Sequence, residues 1–74
     1  MSIAFYNLSG QEDSAEIIGF IGDRVFLSKA PILVFALDVH AELPRITHVL
    51  HKYNFRTRVY IVDDIALLVV PKGE

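Results

Sequence analysis

Seventy-four residues without a cysteine make one small domain near the lower limit of independent stability, with neither a disulfide nor a thiolate metal site to supplement its core. Hydrophobic residues are 53% of the chain and the mean hydropathy is +0.41, too apolar for a disordered tail. The longest apolar runs, Ala30–Leu37 and Ile65–Pro71, still fall short of the roughly 18 to 20 residues a bilayer needs, and the N-terminus shows neither a basic region nor a cleavage site. The expectation is a single soluble domain over 1–74, cytoplasmic, off the membrane, without cofactor or metal.

Ser2 to Leu8 reads as a strand in which Ile3 and Phe5 alternate with Ala4, Tyr6 and Leu8. The next segment has two readings. Ser9 and Glu12 fit a capping box, Glu12, Asp13 and Glu16 suit the positive end of a helix dipole, and Ser14, Ile17, Ile18 and Ile21 follow one helical face up to a stop at Gly22. Alternatively, Glu16–Ile21 and Arg24–Ser28 form a hairpin around Gly22-Asp23, because Ile17, Ile18 and Phe20 are good strand formers and Gly19 costs a helix about 1 kcal/mol.

Val25-Phe26-Leu27 reads as a short strand, Lys29-Ala30-Pro31 as a connection, and Ile32 to Val39 as a strand apolar on both faces. From Glu42 to Tyr53 the pattern predicts a helix: Pro44 is tolerated in its first turn, and Leu43, Ile46, Val49, Leu50 and Tyr53 form one stripe. Asn54 stops it. Arg56 to Val62 is a strand, Asp63-Asp64 a tight turn, and Ile65 to Val70 a last strand ended by Pro71. The fold expected is α+β, a small two-layer sandwich with ferredoxin-like βαββαβ order plus one C-terminal strand. With the hairpin reading, it becomes an antiparallel β-hairpin sheet with a single helix over 42–53.

Helices on one side of a sheet leave its other side wet, so strands should alternate apolar and polar. Here Ile32, Val34 and Ala36 oppose Leu33, Phe35 and Leu37, while Ile65, Leu67 and Val69 oppose Ala66, Leu68 and Val70. Burying a large aliphatic side chain contributes about 1.5 to 3 kcal/mol, so four or five left in water would forfeit about a small domain's whole stability. The pattern predicts a homodimer or higher homo-oligomer, unless the appended strand or long side chains shield that face.

Charge is uneven. Arg45, Lys52, Arg56 and Arg58 fall with His48 and His51 in a window from Arg45 to Val62 that holds no acid; everything outside holds three bases against nine acids, leaving +4 facing −6. Arg45, His48 and Lys52 lie within about 60° on the helix, opposite its apolar stripe. Arg56, Arg58 and Tyr60 share a strand face by the period-two rule. Guanidinium groups bind carboxylates and phosphates bidentately, and an exposed tyrosine can stack on a base. These six are the candidate binding residues, for an acidic protein partner or, alternatively, nucleic acid. The same charges also suit an ordinary solvated face, and a pI of about 5.8 falls short of a strongly basic stripe.

His48 and His51, with His40 nearby in the preceding loop, lack the companion ligands of a zinc site. Asp63-Asp64 is first a turn, and Asp38 ends a strand where it can serve as an acid or a cap. No phosphate loop or nucleophile elbow is present. The sequence thus points to a non-catalytic protein-interaction or regulatory module acting as a homo-oligomer, with a small nucleic-acid-binding protein as the alternative.

Overall fold

Ile17, Ile21 and Val25 are spaced four apart and so fall on one line of a helix; their burial decides how the ambiguous segment folds. In a computed structural model, which describes residues 2–73, they point into the core from α1 (Ser14–Leu27). Each buried aliphatic side chain contributes about 1.5 to 3 kcal/mol, which outweighs the roughly 1 kcal/mol that each of Gly19 and Gly22 costs a helix. Gly22 therefore lies inside α1, and the short strand expected at Val25–Leu27 is its last turn. The hairpin alternative with a single helix does not form. Asp13, rather than Ser9, is the N-cap: its carboxylate accepts from the Ala15 and Glu16 backbone N–H groups at 2.9 and 3.3 Å.

The remaining elements lie close to their expected bounds: β1 (Ile3–Asn7), β2 (Ile32–Asp38), α2 (Leu43–Lys52), β3 (Arg58–Val62) and β4 (Ile65–Pro71). The small α+β sandwich is thus the architecture, with the expected order shortened by the strand at 25–27 to β1-α1-β2-α2-β3-β4. The sheet order is β1-β2-β4-β3; β1 runs parallel to β2, and β4 is antiparallel to both of its neighbours.

Both helices pack on one face. Leu33, Phe35 and Leu37 of β2 and Ala66, Leu68 and Val70 of β4 meet Ile17, Ile21 and Val25 of α1 and Ile46 and Leu50 of α2 in one buried cluster. Tyr6 stacks on Phe35 with ring centroids 5.3 Å apart, and the Arg24 guanidinium lies 4.9 Å from the Phe20 ring and 5.8 Å from that of Tyr6, drawing α1 over β1. α2 ends in a Schellman motif. The Phe55 N–H donates to the Leu50 carbonyl and the Asn54 N–H to the His51 carbonyl, while Asn54 takes φ 67°. The thin axis of the chain measures 16 Å, enough for one sheet and one helix layer and nothing beyond. No helix among the described residues is long and apolar enough to cross a membrane.

Nothing lies within 4 Å of where a side chain would start at Gly19 or Gly22. Gly19→Ala and Gly22→Ala should each raise unfolding free energy by about 0.5–1 kcal/mol in chemical denaturation. Phe35→Ala should lower it by about 3–5 kcal/mol. A loss of stability in both glycine variants would contradict the helical assignment of 14–27.

Candidate functional site

Side chains alternate across a strand, so each residue of the core has neighbours in sequence that face away from the helices. The strand registers line these up in rows. Phe5, Val34, Val69 and Arg58 lie side by side, as do Asn7, Ala36, Leu67 and Tyr60. Ile3, Ile32 and Pro71 flank the first row, and Asp38, Ile65 and Val62 flank the second. Apart from Asn7, Arg58 and Asp38, this whole face is apolar or aromatic, and no element of the described chain covers it. Its rim is open, with Ile3 and Phe5 each 59% and Val62 54% exposed, while Val34, Leu67 and Val69 at its centre are half-buried and Ala36 is buried. Helices on one side of a sheet leave its other side to water, and on this side the residues that meet it are largely apolar.

β3 departs further from the expected pattern. All five of its residues are exposed, including Val59 and Ile61, whose parity points them to the helix side. α2 buries Ile46 and Leu50 against the core cluster, and no helix shields the outermost strand. Among the described residues β3 is also an edge of the sheet, with β4 the one strand paired with it. From sequence alone, Arg56 to Val62 reads as a strand with Arg56, Arg58 and Tyr60 on its exposed face; only the sheet order reveals that Val59 and Ile61 on the other face are wet as well.

The six basic and aromatic candidates divide between two surfaces. Arg45, His48 and Lys52 belong to the outer side of α2, where Arg45 pairs with Glu42 at 3.3 Å, a weak surface contact. Arg58 and Tyr60 share the open sheet face by parity, with Arg58 at the corner where that face meets a groove at the end of α2. Arg56 precedes β3, so the strand is shorter than the expected 56–62, because the α2 cap at Asn54 and Phe55 leads into a connection first. Arg56 and Arg58 instead line a groove of about 470 Å³ together with His51, Asn54, Phe55, Thr57 and Pro71. Within it, His51 Nε2 lies 2.8 Å from Thr57 Oγ1. That grouping escapes sequence reading because it joins a helix end to the start of one strand and the finish of another.

The acidic candidates have structural places. Asp63-Asp64 is the two-residue loop between β3 and β4; Asp63 takes φ 56°, and the Asp64 carbonyl accepts from the Val39 N–H at 3.0 Å. One Asp38 carboxylate oxygen accepts from the Gly10 N–H at 2.9 Å, tying the β1–α1 loop to the end of β2. His40 is exposed in the turn after β2, and among the described residues no three His, Asp or Glu side chains converge as metal ligands.

Compared with family models, curated proteins and solved structures, the chain matches none of them. Its surfaces must therefore be read by their own chemistry.

Asp38→Ala removes the acceptor for Gly10 and should cost about 1 kcal/mol, with faster hydrogen exchange at the Gly10 amide. Unchanged exchange there would show that the carboxylate does not hold the loop.

Proposed function

We propose that the chain is a non-catalytic interaction or regulatory module that works as a homo-oligomer, joined through its sheet and presenting the basic side of α2 to an acidic partner. The observation that carries this is the open face: rows of aliphatic and aromatic side chains lie on the side of the sheet away from both helices. Water contact at the exposed part of that face, chiefly Ile3, Phe5, Tyr60 and Val62, weighs against the monomer, and a second apolar face is the chemistry that relieves it. A copy of the same chain carries such a face and meets it isologously.

Arg45, His48 and Lys52 belong to the other layer and stay accessible when the sheet is covered. An acidic peptide suits them, since three neighbouring bases complement a run of carboxylates. A nucleic-acid reading draws on a different feature, the groove with His51, Arg56 and Arg58. Phosphate contacts would give it a steep negative salt dependence.

Sedimentation at micromolar concentration should show a stable oligomer, and Leu67→Lys in the centre of the open face should lower its mass without altering far-UV circular dichroism. A monomeric wild type that binds no hydrophobic dye would remove the reading. Poly-glutamate should bind the wild type and not Arg45→Glu/His48→Glu/Lys52→Glu; equal binding by both would exclude α2 as the acidic-partner surface. Salt-sensitive binding of a labelled single-stranded oligonucleotide would favour the groove instead.

A further inference from the structure

The free edge of β3 differs from every other part of the sheet. Its two faces are exposed, its sequence Val59-Tyr60-Ile61-Val62 is apolar, and charge sits only at its ends. Arg56 and Arg58 mark the beginning, Asp63 and Asp64 the finish. An exposed apolar edge with unpaired N–H and C=O groups is a template for another strand.

The hairpin determines which groups are unpaired. With a two-residue loop, Val62 and Ile65 close the ladder as a hydrogen-bonded pair, so alternation gives Tyr60 and Arg58 the same role towards β4. The N–H and C=O groups of Val59 and Ile61 consequently point outward from the sheet. An antiparallel copy of β3 centred on Tyr60 sets Val59 opposite Ile61 twice, with all four residues supplying outward groups. The same register brings the Arg56 and Arg58 end of each copy to the Asp63-Asp64 end of the other. Parallel pairing would set like charges together. β1, the other edge, has no charged residue at all, and its Ala4 and Tyr6 are packed against the core.

We propose that β3 pairs antiparallel with β3 of a second copy of this chain, joining two four-stranded sheets into one eight-stranded sheet whose register is held by Arg56 and Arg58 against the partner's turn. The acidic partner of these two arginines is then the chain itself. This pairing rests on the proposed self-association and adds a second interface to it. The edge twofold stands normal to the sheet and the face twofold lies parallel to it, so where the two axes intersect the two interfaces close a tetramer.

Charge exchange tests the edge separately from the face. Arg56→Glu/Arg58→Glu makes both ends of β3 acidic; Asp63→Asn/Asp64→Lys makes both ends basic, with Asn retained where φ is positive. In sedimentation equilibrium at low ionic strength, each variant alone should show half the wild-type mass. An equimolar mixture should recover the full mass, which a misfolded variant could not do, and the recovery should fade with added salt. Wild-type mass in both isolated variants, or failure of the mixture to recover, would overturn edge pairing. If in that case Leu67→Lys still lowers the mass, self-association through the open face survives; a monomeric wild type would defeat both.

Discussion

Two helices can shelter one face of a four-stranded sheet, and this chain has two faces that repel water. That mismatch governs the molecule. β2 and β4, paired at the centre, carry apolar side chains at nearly every position, so satisfying the helix-side set leaves an equally apolar set on the other side. A small domain has no spare stability with which to absorb such exposure. The open face and the naked strand β3 are both consequences of a layer count that stops at two.

What the chain does well, it does on the helix side. The row Ile17, Ile21 and Val25 is buried in one cluster with Leu33, Phe35 and Leu37, and Ile46 and Leu50 complete the cover. Glycine in α1 and the β-branched residues around it argue locally for a strand, yet spacing across three helical turns prevails because it buries three side chains at once. This is why the α2 boundaries were legible to within a residue or two from Pro44, the Leu43–Tyr53 stripe and Asn54, whereas α1 was not. Its true cap, Asp13, sits among several equally suitable residues, and its last turn is written in strand-forming letters. The apolar doubling of β2 and β4 was visible in the sequence. The exposure of Val59 and Ile61 was not, because it depends on β4 inserting between β2 and β3.

Charge was legible in quantity but not in arrangement. One acid-free window reads as one basic surface, and folding divides it, sending Arg45, His48 and Lys52 to one side of the sandwich and Arg58 with Tyr60 to the other. What replaces the single patch is a polarity along β3, basic at its start and acidic at its turn. A strand with complementary ends is self-complementary when reversed, which links the charge asymmetry to the apolar excess: the proposed pairing with another copy of the chain would relieve both.

The most direct test is the concentration dependence of thermal unfolding. A fold that depends on a second chain melts by a reaction that includes dissociation, so its midpoint should climb by several degrees across about a hundredfold rise in protein concentration. A midpoint that stays constant over that range would mean that the single chain carries its wet sheet unaided, and that no second copy is needed to cover it.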